Sequence, residues 1–453
     1  MIRPLGLKLK QFFKTGHVRT ISAKKNIAIS LFLKGISIVI GLMIVPMTIS
    51  YVNPTQYGVW LTLSSIVTWF GFFDIGLGNG LKNKLAEANA LNQYTNSKAY
   101  VSTTYAVLSI IAICLFCVFL IINHFISWTA ILNTPVNNKI HFNNLALIVF
   151  GFFCIQFILQ ILNIVLTACH EPSKVSMINV TGQLLSLLSI FLLIKTTTGS
   201  LIYLMLAMAG VPLVIQLIAS IYLYGTKYKL FSPSLKLVDL KYAKSLLNVG
   251  IVFFVLQIGA LILFQTDNIV ITQLFGPKDV TLFNVAYKLF SVITMIFTIV
   301  LTPFWSAFTD AYTKGDLDWI RTMLKKMNRL LVLFVFLALA ILIVSPFIYK
   351  IWLHGSVIIP WSLSLAMTLN VIVSCWQMIY IFFINGIGKV RLQLYLVVFT
   401  SLVNIPMAIF LGKKIGLAGI TFANIILYII IGISMFIQTN RILNNKAEGI
   451  FNK

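Results

Sequence analysis

Apolar runs of about twenty residues recur from one end of this chain to the other. That is the length an α-helix needs to cross the hydrocarbon core of a bilayer. The connections between them are short, with no stretch large enough for a separate soluble domain. Backbone in lipid must satisfy its polar groups internally, so the runs are read as helices. They are too long and too continuously apolar for the strands of a barrel. Segmenting on that length gives twelve spans, roughly 26–49, 58–80, 99–122, 142–167, 177–195, 200–224, 245–275, 281–307, 330–349, 361–384, 392–411 and 416–438,. The seventh is long enough to be tilted or to project from the bilayer. Only 10% of residues are charged and mean hydropathy is +0.97, where a soluble domain carries about 25% charge. The expected fold class is an all-α integral membrane protein.

The N-terminus is basic and then apolar, as in a secretory leader. However, the run 26–49 is too long for a leader's apolar core and lacks a small-x-small cleavage pattern, so it is read as the first span. Of the 34 Lys and Arg residues, 26 fall in the N-terminal segment, the C-terminal tail and the loops after even-numbered spans, and six fall in the loops after odd-numbered spans. Positive residues mark cytoplasmic loops, so both termini are expected in the cytoplasm. An even number of spans agrees with that, since it puts both termini on one side.

This loop bias also explains the net charge of +24 without nucleic acid. The basic residues are dispersed and form no zinc-finger spacing or single basic face. Cys114, Cys117, Cys154, Cys169 and Cys375 lie in or beside apolar runs and read as small apolar side chains rather than redox or metal ligands. His170 and Glu171 sit beside Pro172 with no second ligand pair at metal spacing. No metal, cofactor or catalytic group is expected, and without a phosphate-binding loop of the Walker type direct ATP use is not expected either.

An internal repeat organises the spans. Asn53-Pro54 and Gly276-Pro277 each end a span and begin an outer turn, 223 residues apart. At the same offset Glu87-Ala88 falls on Asp310-Ala311. Two six-helix halves of equal orientation follow, related by an axis along the membrane normal and flanking a central cavity, the plan of an alternating-access transporter. The expected divisions are a basic segment 1–25, an N-terminal bundle 26–224, a cytoplasmic linker 225–244, a C-terminal bundle 245–440 and a tail 441–453.

Ionisable residues at depth are costly and mark function by default. Lys34 lies about 12 Å into the first span, where it either faces a cavity or snorkels to the interface. Asp267 and Lys288 flank the turn at Gly276-Pro277 at similar depth and could pair across it, as a structural staple or as a gated pair. Asn163, Gln183, Gln216, Gln257, Asn370, Gln377 and Asn404 are further polar residues at depth. Many of them facing one cavity would suit a sugar.

The segment FGFFDIGLGNGLKNKLAEANA at 70–90 places Asp74 beside Gly76, Gly78 and Gly80. The spacing and the absence of a preceding strand rule out a dinucleotide fingerprint. Glycines there are expected to loosen the helix end or admit close backbone approach. D-I-G-L-G-N-G-L at 74–81 with L-A-E-A at 85–88 resembles the hallmark of the polysaccharide-transporter family, which includes O-antigen flippases, within the multidrug, oligosaccharidyl-lipid and polysaccharide exporter superfamily. Y-V-N-P-T-Q-Y-G-V-W at 51–60, with Pro54 and Gly58, resembles its first outer turn. T-D-N-I-V-I at 266–271, F-G-P at 275–277 and A-Y-K-L at 286–289 resemble its seventh and eighth helices, and N-G-I-G-K at 385–389 and G-L-A-G at 416–419 its last ones. Asp74, Gly76, Gly78, Gly80, Pro54, Gly58, Gly276 and Pro277 are thus expected as structural or hinge positions, and Lys34, Asp267 and Lys288 as substrate-binding or gating positions.

The resemblance implies a V-shaped pair of bundles in the bacterial inner membrane. It implies a lipid-linked oligosaccharide on undecaprenyl pyrophosphate, moved from the cytoplasmic to the outer leaflet for O-antigen or capsule synthesis. A coupling cation, H+ or Na+, and a polysaccharide polymerase are the further partners expected. An ion-coupled multidrug or metabolite exporter is the alternative, disfavoured if a lysine neutralises Asp267. A membrane glycosyltransferase ranks last, because no large polar loop carries catalytic acids.

Overall fold

The computed structural model describes residues 18–74, 76–134, 142–169, 171–239, 241–243 and 266–452. His170, Gln257 and most of the basic N-terminal segment lie outside the described residues. Among those described the chain is helical, with no strand. The helices in order are α1 (Val18–Val52), α2 (Pro54–Trp69), α3 (Leu77–Ala90), α4 (Tyr94–Phe125), α5 (Phe142–Leu159), α6 (Ile161–Ala168), α7 (Pro172–Thr196), α8 (Leu201–Met205), α9 (Val211–Gly225), α10 (266–275), α11 (Pro277–Thr313), α12 (Leu317–Leu353), α13 (Trp361–Ile387), α14 (Arg391–Ile415) and α15 (Leu417–Leu443).

Ten helical segments among the described residues are long and apolar enough to cross a membrane. They coincide with ten of the twelve expected spans. The chain is a multi-pass, all-helical membrane protein, and the twelve-span reading is consistent with this count. The seventh span falls mostly on residues outside those described, with α10 as its C-terminal end. The second is interrupted: after Trp69 the chain tightens into a 3-10 turn, Phe70–Asp74, and restarts as α3. Gly76 supplies the restart with φ of 77°, a left-handed conformation that costs little only for glycine,.

The repeat inferred from dipeptides has a backbone counterpart. Asn53 (φ 117°) and Gly276 (φ 95°) both take positive φ, and each is followed by a proline that opens a helix. Proline is preorganised for that first position, where its missing N–H has no partner to lose. Asn92 (φ 57°) and Gly315 (φ 73°) mark the ends of α3 and α11. Both pairs are 223 residues apart, the offset read from the sequence.

The chain divides into two compact units by its contacts. One holds the described residues of Met1–Met47, Phe70–Ile126 and His141–Phe254. The other holds those of Thr48–Trp69, Ser127–Ile140 and Val255–Lys453. The second unit therefore contains α2 as well as α10 to α15. Its core is built on aromatic side chains of α11 and α13, with Phe290, Phe297, Phe308 and Phe383 fully buried. In the first unit Phe150 of α5 stacks on Phe119 of α4 at a centroid distance of 4.0 Å. There Gln216 Nε2 donates to the Asn163 side chain (3.1 Å) and to the Leu159 carbonyl (3.2 Å), and Ser37 Oγ donates to Gln183 Oε1 (2.6 Å). Three of the polar residues singled out at depth thus serve as interhelical ties.

A carboxylate-bearing cavity and a polar helix seam

Asp267 is 7% exposed on α10. It has a partner, though not the one expected. Asn424 of α15 donates its Nδ2 to Asp267 Oδ2 at 2.7 Å. The amide of Asn424 is itself oriented, because its Oδ1 accepts from Asn404 Nδ2 (2.7 Å), and Asn404 Oδ1 accepts from Thr266 Oγ1 (3.1 Å). Each amide in this relay accepts at its oxygen and donates from its nitrogen, so the end of Asn424 that faces the carboxylate is the donor,. No ion pair joins Asp267 to Lys288 among the described residues. The pairing expected across the Gly276-Pro277 turn is therefore not formed. Lys288 sits half-buried on α11, and Lys34 is exposed on α1.

Asp267 lines a cavity of about 320 Å³ within the second unit. Its wall is drawn from α10, α11, α13 and α15 and is rich in amides and hydroxyls, among them Asn268, Asn284, Asn370, Gln377 and Thr421, with the rings of Tyr287 and Tyr428. Asp267 Oδ1, Asn370 Oδ1, Gln377 Oε1 and Thr421 Oγ1 are buried oxygens without a hydrogen-bond partner. Such oxygens cost about 1–3 kcal/mol each when left unpaired in a protein interior. Four on the wall of one cavity distinguish it from ordinary packing. Asn370 and Gln377 were singled out by depth. Asn268, Asn284 and Asn424 were not, although the amide of Asn268 directly follows the carboxylate that drew attention.

The residues of the two Pro-led turns meet in a seam of the same unit. A side-chain carbon added at Gly58 would lie 1.6 Å from the Pro277 carbonyl oxygen. Only glycine allows this approach of α2 to α11. Around it Thr62 and Thr272 share a hydrogen bond of 2.6 Å between hydroxyls, and Thr281 Oγ1 donates to the Pro54 carbonyl at 2.6 Å. Asn268 Nδ2 donates to Ser65 Oγ at 2.7 Å, and its Oδ1 accepts from Asn284 Nδ2 at 2.7 Å. Asn268 and Asn284 also line the cavity, so one hydrogen-bonded chain runs from α2 to the cavity wall. Asn133 adds a bond from its Nδ2 to the Thr272 carbonyl at 3.1 Å.

The glycine-rich segment has a local explanation. Asp74 Oδ1 accepts from the Gly76 N–H (3.0 Å) and Oδ2 from the Gly78 N–H (3.2 Å). The carboxylate thus satisfies amides at the start of α3, where a helix has no intrahelical acceptors. Gly80 lies within α3, its N–H donating to the Gly76 carbonyl at 2.9 Å.

A second ionic cluster lies between α6, α7 and α9. Glu171 accepts from Lys174 Nζ and Lys227 Nζ, both at 2.5 Å. Burial pushes the Glu171 carboxyl up, but its hydrogen bonds from Lys174, Lys227 and Tyr228 outweigh that and hold it at about 2. Burial pushes the neighbouring Cys169 thiol up to about 11, so this cysteine is a poor nucleophile at neutral pH,.

All of this defines a membrane-embedded helical protein with a polar, carboxylate-bearing cavity. Solved structures share its fold. An inward-facing multidrug-resistance transporter of the MATE family in the MOP superfamily superposes with a TM-score of 0.72 at 14% identity, covering 94% of this chain and 98% of its own. An outward-facing structure of a MATE family transporter gives 0.62 at 15% identity, covering 95% and 97%. Residues 23–308 match the family described as "Polysaccharide biosynthesis protein", and the chain belongs to that family. A Salmonella typhi protein provisionally named as an O-antigen transporter is 26% identical over 66% of this chain and 68% of its own length. A Yersinia pseudotuberculosis protein provisionally named for O-antigen export is 22% identical over 79% and 81%.

Proposed function

We propose that this protein is a flippase for an undecaprenyl-pyrophosphate-linked oligosaccharide, an O-antigen or capsule repeat unit. It carries the unit from the cytoplasmic to the outer leaflet of a bacterial inner membrane by alternating access, with both termini in the cytoplasm. The observation that carries the reading is the polar cavity around Asp267 in a chain of the polysaccharide biosynthesis family. A glycan head group needs hydrogen-bonding side chains inside the membrane, and the lipid tail needs none. Lys34 and Lys288, the lysines placed along the first and eighth spans, are in this reading substrate-binding or gating cations that offset anionic charge on the substrate. The protein acts as a transporter and not as an enzyme, and a polysaccharide polymerase would consume the unit that it delivers.

Exchange with H+ or Na+ supplies the driving force in this reading, with Asp267 as the group that takes up the cation. The seam from Pro54 to Ser65 against α10 and α11 is the outer closure, and its separation opens the path outward. Asp74 and its glycines, with Pro54, Gly58, Gly276 and Pro277, are the hinge and packing positions that let the helices move as units.

One observation favours a second reading. A lysine partner on Asp267 would argue against export of organic cations, and no such partner is present among the described residues. A carboxylate free of lysine is what a cationic drug or metabolite would require.

The deciding experiment is a chromosomal deletion with complementation. Deletion should abolish surface polysaccharide and leave the lipid-linked unit on the cytoplasmic face. Lys34→Ala and Lys288→Ala, at matched expression, should each fail to restore it fully. Unchanged surface glycan together with new drug sensitivity would overturn the flippase reading in favour of export.

A further inference from the structure

We propose that the cavity around Asp267 is a subsite for one neutral sugar ring of the translocated glycan, and that Asp267 excludes acidic sugars from it. The inference rests on the flippase reading and names the part of the substrate that this cavity takes.

Size is the first argument. A cavity of about 320 Å³ has the volume of roughly ten liquid waters. A bare cation bound to Asp267 would leave nearly all of that space to solvent. The volume stands at the small end of the range for organic ligands, which suits one ring better than a chain of them.

The chemistry of the wall is the second argument. Side-chain amides present a donor pair and an acceptor together, and hydroxyls do both with one group. A sugar hydroxyl likewise donates once and accepts twice, so a wall of Asn370, Gln377 and Thr421 matches a polyol group by group. The unpartnered oxygens of Asp267, Asn370, Gln377 and Thr421 are acceptors awaiting O–H donors. Rings of Tyr287 and Tyr428 supply apolar faces for the C–H surface of a pyranose,.

Charge is the third. Among the described residues Asp267 is the one carboxylate on the wall, and Lys288 is not part of it. The relay Thr266, Asn404, Asn424 delivers a donor to Oδ2 and leaves Oδ1 with none. A hydroxyl or amide N–H of a neutral or N-acetylated sugar supplies the missing donor. A uronic acid brings a second carboxylate to a buried one, and like charges so placed are strongly disfavoured. Because a sugar hydroxyl and a cation compete for the same oxygen, occupancy by one opposes the other, as exchange requires.

The test uses the full chain in lipid nanodiscs and saturation-transfer NMR. Three probes are compared: methyl α-D-glucopyranoside, methyl N-acetyl-α-D-glucosaminide and methyl α-D-glucuronide. The neutral probes should receive saturation, and the glucuronide should bind at least about tenfold more weakly. Gln377→Leu should remove the neutral signal, with Asn370→Leu as a second variant if the first melts at lower temperature. Asp267→Asn should abolish the discrimination against the glucuronide. No saturation of any neutral probe, equal saturation of the glucuronide, or an unchanged signal in both leucine variants would each overturn the inference. Deletion separates this from the broader reading. Loss of surface polysaccharide with no glycoside bound sinks the subsite alone. Glycoside binding with surface polysaccharide intact sinks the translocation assignment on which it rests.

Discussion

Replacing Gly58 by alanine should open the α2–α11 seam by a calculable amount. The added carbon would sit 1.6 Å from the Pro277 carbonyl oxygen and 2.5 Å from its carbon, and both are backbone atoms that cannot rotate away. Carbon–oxygen contacts below 3.0 Å are essentially never seen, so the helices must part by about 1.4 Å. The 2.6 Å bonds between Thr62 and Thr272 and from Thr281 to the Pro54 carbonyl then stretch beyond hydrogen-bonding range. Two such bonds contribute about 1 kcal/mol net each. Overpacking adds about 1–3 kcal/mol. The expected destabilisation is about 3–5 kcal/mol, which for a unit of this size lowers Tm by roughly 6–20 °C. Thermal melting of purified protein in detergent measures it, with Gly225→Ala as the control because nothing lies within 4 Å of a carbon added there. A cysteine at Thr62 should also become more reactive toward a water-soluble maleimide in the Gly58→Ala background. Equal melting of the two alanine variants, with no gain in labelling, would refute the close-approach argument.

Asn424→Leu removes the donor to Asp267 Oδ2 and strands a buried acceptor, which costs about 1–3 kcal/mol, and more for a charged carboxylate,. Melting should fall steeply, and Asp267→Asn in the same chain should recover part of the loss. Lys288→Ala should change the melting temperature far less than Asn424→Leu, because Lys288 forms no ion pair with Asp267. Asp74→Ala frees the Gly76 and Gly78 N–H groups and should cost about 1 kcal/mol, as helix caps do, read by the same melt. The Glu171 carboxyl is lower in the folded protein than in the unfolded chain, at about 2. Its contribution is therefore present above the usual glutamate range and is lost as pH falls from about 4.5 toward 2. The difference in Tm between native protein and Glu171→Gln should shrink across that window and be constant at neutral pH.

Much of the fold could be read from the chain because span length is a one-dimensional property. The two Pro-led turns were legible for the same kind of reason. Proline has one favoured place at a helix start, and the residue before it had to be Asn or Gly to reach positive φ. The break of the second span at Phe70–Asp74 was marked by its glycines, though not its form. The partner of Asp267 was not legible. Depth along a helix places a residue at a height, and the spacing about the Gly276-Pro277 turn gives Asp267 and Lys288 similar ones. Which way each faces depends on the packing of several helices, and α10 faces Asn424 of α15, 157 residues away. Asn268 and Asn284 are not distinguishable by spacing alone from the other amides along the spans. Only the seam shows that they link α2 to the cavity.

The seam has an energetic consequence of its own. The aromatic core of α11 and α13 loses buried area whenever it parts, so it stays closed. Beside the buried apolar side chains of α2, three polar bonds cross the seam, between Thr62 and Thr272, from Asn268 to Ser65 and from Thr281 to the Pro54 carbonyl, and water can take over each of them. Together they contribute about 3 kcal/mol net. An occupant that prefers a parted form by about a hundredfold would offset those three bonds, and the apolar contact of α2 would still have to be matched.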